Sequence, residues 1–376
     1  LKLTNLFLEN FRNYSYLYFS PNTGMNFLYG NNAQGKTSFI EACAYLCLGR
    51  SIRGTSDQHL LKFNQGYFNL EGSFKSNDLL QQTTIKYRYL DNNKEKTVSI
   101  NNLPLNRLIE AVGIQKVVFF LAEHLNIVKG QPNLRRNYLD ILIVQVYPKY
   151  YQELLDYKKI IQHRNHTLRY NRNSISINLQ LEIWEEQLIN LAVKIIARRI
   201  EFVNFLKKNT PITYTYLTDG KENFCVEYLS PLRFDFAKEF TISELKKVLQ
   251  DAYQESRKRD LQQGVTTIGP HRDDIFFKIN GKDARVFASQ GQQKTIALSL
   301  KLAEIDFFCH KIKEEPLVLL DDVFSELDQI RQKQLIKYIK KGLFQCFITT
   351  TSMDMLDRDW IEGAMVISVE NGTISK

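Results

Sequence analysis

The sequence lacks long apolar runs. Stretches such as Val117–Ala122 and Ile141–Val144 fall far short of the ~20 residues a membrane-crossing helix needs, so no membrane span is expected. Cysteine is sparse, with five residues, and only Cys43 and Cys47 are close, at helical i,i+4 spacing. A scattered odd set excludes a disulfide framework and reads as reduced thiols in the cytoplasm. No tract is rich in proline or glycine, and 12% aromatic content is too high for a disordered chain. The opening Leu1-Lys2-Leu3 carries no secretory signal, and a start without methionine suggests processing or a non-standard start. Acid is in deficit: 41 Asp and Glu stand against 50 Lys and Arg, a net charge of +9. That surplus favours a polyanionic partner, nucleic acid or an anionic membrane face, without choosing between them.

With 376 residues, the chain has room for two or three structural units. Met25–Tyr29 reads as a strand ending at Gly30, and Lys36–Leu48 as a helix closed by Gly49. Residues 67–100 are strand-like, with a hairpin turn at Asp91-Asn92-Asn93, and 116–121 form another apolar strand. From 134 to 209 helical periodicity dominates. Ile177, Leu181, Trp184, Leu188, Leu191, Ile195, Phe202 and Phe205 form a 4,3 stripe broken only by Arg198. Residues 149–170 supply an antiparallel partner for it. Past Pro231 the pattern is mixed again: Ile275–Ile279 and Ala284–Phe287 flank the hairpin signal Asn280-Gly281, and Leu317–Leu320 reads as a buried strand. The expected fold class is α/β. One domain is assembled from both termini (1–130 and 265–376), with a helical second domain (131–264) forming a short antiparallel arm.

Gly30-Asn31-Asn32-Ala33-Gln34-Gly35-Lys36-Thr37 fits G-x-x-x-x-G-K-[ST], with a strand before it and a helix after. The glycines let consecutive N–H groups face phosphates, and the helix N-terminus adds positive potential. Lys36 reaches the β- and γ-phosphates, and the Thr37 hydroxyl can ligate Mg2+. Ser38 completes the nucleotide-contacting segment. Leu317-Val318-Leu319-Leu320-Asp321-Asp322 is the companion strand, with Asp321 on the metal side and Asp322 placed to orient or deprotonate water. Alone it would read as an acidic turn after a strand. Ser289-Gln290-Gly291-Gln292 opens a helix, so Ser289 reads either as an N-cap or as part of an anion site.

In order and spacing, these segments with Ser325-Glu326-Leu327-Asp328 resemble the ABC-type ATPases. Asn10-Phe11-Arg12-Asn13-Tyr14, Val128-Lys129-Gly130 with Arg135-Arg136, Gly269-Pro270-His271-Arg272-Asp273-Asp274 and Thr349-Thr350-Thr351-Ser352 are similar to the RecF recombination mediators. The resemblance implies an ABC-type P-loop ATPase head. Ser289 and Gly291, with Gln290 and Gln292, would act as a signature reaching the γ-phosphate of an opposite protomer. Asp328 would be the D-loop acid, Arg12 would approach the nucleotide, and Thr350 stands where a switch histidine is usual. Asp322 replaces the commoner glutamate, one methylene shorter, which implies slow hydrolysis. Glu123 keeps one acid of a differing segment and takes no role. His271 reads equally as interface or turn.

The positive charge has a candidate location. From Tyr157 to Leu181 there are Lys158, Lys159, Arg164, Arg169 and Arg172 and no acid, either a solvated helix face or a phosphate-backbone track. Arg198, Arg199, Lys207 and Lys208 would extend it. The resemblance implies an ATP- and Mg2+-dependent, DNA-stimulated ATPase of replication, DNA damage repair and the SOS response. It would bind single- and double-stranded DNA at gaps or junctions as an ATP-induced homodimer and aid recombinase loading with RecR and RecO. The alternatives are a chromosome-structural SMC-like ATPase and a transporter nucleotide-binding subunit. The short insertion argues against the first; the basic arm and short carboxylate argue against the second.

Overall fold

The computed structural model describes residues 1–76, 79–106, 110–170, 176–218, 220, 222–353 and 356–375. The chain divides into two compact units. One comprises Leu1–Val128, Ile212–Glu222 and Ala288–Lys376; the other comprises Lys129–Pro211 and Asn223–Phe287. Among the described residues no helix is long and apolar enough to cross a membrane.

The first unit contains two six-stranded sheets. One runs in the order Thr373–Ser375, Met365–Glu370, Met25–Tyr29, Cys346–Thr350, Leu317–Leu320, Val117–Phe120. All its neighbours are parallel except the first pair. Its strands Val117–Phe120, Leu317–Leu320 and Cys346–Thr350 are buried at every residue, as continuous apolar runs covered on both faces should be. The other sheet is antiparallel: Tyr14–Phe19, Lys2–Phe11, Tyr67–Ser76, Leu79–Leu90, Asn93–Ile100, Leu103–Pro104. Its hairpin turns at Asp91 and Asn92, whose φ values of 49° and 63° suit a two-residue turn matched to strand twist. Helix Lys36–Leu48 carries Tyr45, which meets Phe11 and Phe68 of this sheet at ring separations of 6.3 and 5.9 Å.

The second unit holds helices Pro132–Val146, Lys149–Tyr170 and Ile242–Gln263 and most of Ile177–Thr218. Pro211, which cannot donate to the helix ladder, is the last residue of Ile177–Thr218 in this unit. Helices Lys149–Tyr170 and Ile177–Thr218 run antiparallel. Tyr147 and Tyr150 at the start of the first meet Glu201 and Arg199, its middle meets Trp184 and Glu185, and Leu168 packs on Ile177 and Leu181. Arg198, the break in the apolar stripe, is partly exposed and lies over the Tyr147 ring at 3.8 Å.

Two expectations are corrected. The boundary at 265 is wrong, because Asp274–Ile279 pairs with Phe224–Leu229 and holds 265–287 in the second unit, while 212–222 joins the first. Ala284–Phe287 is a short helix rather than the second strand of a hairpin. The turn at Asn280-Gly281 does form, with φ of 49° and 76°, but its returning strand is only Lys282–Asp283.

Candidate nucleotide site and basic arm

The phosphate loop leaves Met25–Tyr29 and enters Lys36–Leu48, as the spacing requires. Gly30 and Gly35 have φ of 150° and 121°, and Ala33 sits at φ 67°. A Cβ on Gly30 would lie 2.3 Å from the Val369 carbonyl oxygen, so only glycine fits. The loop is tied from three sides. Asn13 Nδ2 donates to Ala33 O at 3.1 Å and its Oδ1 accepts from Ser38 Oγ at 2.9 Å. Tyr14 Oη donates to Gly35 O at 3.1 Å. The Asn371 N–H donates to Gln34 Oε1, and the Gly372 N–H to Gln34 O. Asn31 and Asn32 complete the loop, with Asn32 O accepting from Gln34 Nε2 at 3.4 Å.

Lys36 curls over the loop, its Nζ donating to Gly30 O at 2.5 Å and Asn31 O at 2.8 Å. Burial lowers its pKa, opposed by the charges of Asp322 and Asp321. Thr37 Oγ1 donates to Asp321 Oδ1 at 3.0 Å. Burial raises the Asp321 pKa, against the hydrogen bonds from Thr349 and Thr37. A buried carboxylate beside a hydroxyl fits a hard cation. Among the described residues no cluster of three His, Cys, Asp or Glu could hold a metal alone. Asp322 adopts left-handed φ 49°, ψ 33°, costing a non-glycine residue about 1 kcal/mol.

Arg12 pairs with Glu41 of the phosphate-loop helix, Nε and Nη2 each 2.9 Å from Oε2, and donates Nη1 to His59 O. Thr350 is buried at the end of its strand, level with Tyr29 in register. Ser289 is an N-cap: its Oγ accepts from the Gln292 N–H at 3.2 Å, and Gln292 Oε1 accepts from the Ser289 N–H. Gln292 Nε2 donates to Glu222 Oε1 at 2.6 Å. Asp328 caps helix Gln329–Lys341 and pairs with Arg331. Ser289, Gly291, Gln292, Asp328 and Arg331 line one cleft of about 340 Å³ that includes none of Gly30–Ser38. Gln290 is exposed beside it.

The arm divides the basic candidates. Lys158, Lys159 and Arg169 are exposed, and Arg169 Nε donates to Gly264 O. Arg172 lies outside the described residues. Arg164 is withdrawn from the track: it is fully buried, with Nη1 bound to Asp260 and Thr266 and Nη2 to Glu185. Arg199 is likewise buried, held by Asp140 and Pro270 O, while Lys207 and Lys208 are exposed. The conspicuous segments at Arg135-Arg136 and Gly269–Asp274 hold each other. Arg135 makes a two-pronged pair with Asp274, and Arg136 donates to Asp273 O. His271 bonds Tyr157 and Thr266 O, and burial lowers its pKa to about 4. His124 is half-buried, its Nδ1 accepting the Leu121 N–H.

The family model described as the RecF/RecN/SMC N terminal domain matches residues 2–375. A DNA replication and repair protein RecF of Geobacillus kaustophilus is 38% identical over 375 residues, covering 99% of each chain. The chain belongs to the RecF family. A solved structure of the recombination mediator protein RecF with ATP, in the RecFOR pathway, matches at TM-score 0.89 and 32% identity, covering 100% of this chain and 97% of that one. The Smc head domain of Pyrococcus furiosus, with an extended coiled coil and bound to the C-terminal domain of ScpA, matches at TM-score 0.55 and 14% identity over 100% and 95%. At that identity it shows the fold alone: this chain has an SMC-like head fold.

Thr349 went unread in the sequence as a functional position, as did the bracing roles of Asn13 and Tyr14. All three lie inside motifs quoted for their neighbours. Their partners, 20 to 28 positions away, gave no local signal.

Proposed function

We propose that the protein is an ATP-dependent DNA-binding switch of recombinational repair and replication, and a slow ATPase. Two ATP molecules would be sandwiched in a two-fold dimer, each between Gly30–Ser38 of one protomer and Ser289–Gln292 with Asp328 of the other. The observation carrying this reading is the convergence of Lys36, Thr37, Asp321 and Asp322 beyond the ends of Met25–Tyr29 and Leu317–Leu320, the two strands that flank Cys346–Thr350, while the signature residues line a cleft with no loop of its own. The likeness to a RecF–ATP structure supports ATP as the nucleotide.

The loop amides and Lys36 would bind the β- and γ-phosphates, and Arg12, anchored by Glu41, would flank them. Thr37 and Asp321 would hold Mg2+, which neutralises phosphate charge in the transition state. Asp322 would orient the attacking water, and its short reach makes hydrolysis slow. Thr350, lacking an imidazole, leaves no histidine sensor of the γ-phosphate. ATP would favour the DNA-holding dimer, and hydrolysis would release it. Lys158, Lys159 and Arg169 are the remaining arm contacts for DNA, single- or double-stranded, at gaps or junctions. The pathway named for the RecF–ATP structure supports RecO and RecR as partners in loading recombinase.

Ser289→Arg tests the composite site. Monomer ATP affinity should stay within about threefold of the parent, since Ser289 does not touch the phosphate loop, while ATP-induced dimerisation is lost. Equal loss of both in calorimetry and light scattering would sink the reading in trans.

A further inference from the structure

Thr349 precedes Thr350 in the strand Cys346–Thr350 and is fully buried. Its one hydroxyl makes two bonds. Oγ1 accepts the Asp322 backbone N–H at 2.8 Å and donates to Asp321 Oδ1 at 2.8 Å. The directions are forced: an amide only donates, so the hydroxyl proton is left for the carboxylate. Register explains the meeting, because Ile348 lies opposite Leu320 in the parallel pair and the next residue of each strand is Thr349 and Asp321.

We propose that Thr349 is a positioning residue for ATP hydrolysis, its hydroxyl fixing Asp321 and Asp322 relative to each other. This rests on the roles given above to the two acids. Asp321 Oδ1 also accepts from Thr37 Oγ1 at 3.0 Å, so hydroxyls from the phosphate-loop helix and from the sheet converge on one oxygen. Asp322 is held at both ends of its backbone, its N–H by Thr349 and its C=O by Ser325 Oγ at 2.8 Å. A residue in the left-handed region has to be held there by its surroundings, and its backbone sets where the side chain is aimed. In the reaction the water oxygen bonds to the γ-phosphorus as the bond from that phosphorus to the β–γ bridging oxygen breaks. The water proton passes toward Asp322, yielding ADP and phosphate. Thr349 touches none of these atoms and acts through the two acids.

Thr349→Val keeps the shape and removes the hydroxyl, leaving the Asp322 N–H without its acceptor. Steady-state ATPase, equilibrium binding of a fluorescent ATP analogue with and without Mg2+, and thermal melting would be measured on the full chain. The expected result is kcat lowered about 30-fold, with KM and Mg2+-dependent affinity within about threefold. Thr349→Ser should restore kcat to within about threefold of the parent. Should Thr349→Val not fold, Thr349→Ala against Thr349→Ser makes the same comparison. A parental kcat in the hydroxyl-free variant overturns the proposal. So does a serine variant as slow as valine, or a loss of affinity and melting temperature in step with kcat. A parent protein that hydrolyses no ATP would instead overturn the functional reading on which the proposal stands.

Discussion

The phosphate loop and the basic arm both present positive charge, but they are specified in different ways. The loop is a contiguous segment whose backbone would do the binding, so residue type and spacing determine its geometry. Its strand and helix appear at the bounds the motif implies, Met25–Tyr29 and Lys36–Leu48. The arm carries its charge on side chains of a helix, and a helix faces in every direction. Lys158 and Lys159 point outward, while Arg164, five residues further on, turns inward to meet Glu185 and Asp260. A run without acid in sequence is not without acid in space. Local motifs therefore read directly, whereas charge balance depends on which distant residues fold back.

That contrast can be broken most easily at its strongest point. Lys36→Ala should lower nucleotide affinity by more than about 100-fold in calorimetry, because the ammonium proposed to bind the β- and γ-phosphates is lost. Near-parental affinity would mean the loop is not the site. Next in size, Arg164→Ala should destabilise the protein by about 3–5 kcal/mol in urea unfolding, because buried Asp260 loses the arginine it pairs with and Glu185 is left with Arg257. Lower DNA affinity with unchanged stability would return Arg164 to the track and erase the distinction drawn here. The smallest effect belongs to the exposed pair. Lys158→Ala with Lys159→Ala should leave stability within about 0.5 kcal/mol and reduce the slope of log affinity against log salt by about 2. An unchanged slope would remove both from the DNA surface.

Most of the head was legible in sequence because its signals are local: a glycine loop, an apolar strand ending in acids, an N-cap serine. The arm's antiparallel pairing followed from the stripe beginning at Ile177. What escaped was set by pairing across the chain. The edge of the second unit depends on Asp274–Ile279 finding Phe224–Leu229. The role of Arg135-Arg136 depends on meeting Asp273 and Asp274. Thr349 looked like one of three threonines until the sheet register set it between two acids.

The most direct test of the central claim uses one preparation, sized by light scattering and titrated with DNA at two salt concentrations, in ADP and in a non-hydrolysable ATP analogue. The account predicts a monomer with weak DNA affinity in ADP, and a dimer with strong, salt-sensitive DNA affinity in the analogue. A protein that stays monomeric in the analogue and gains no DNA affinity would contradict it.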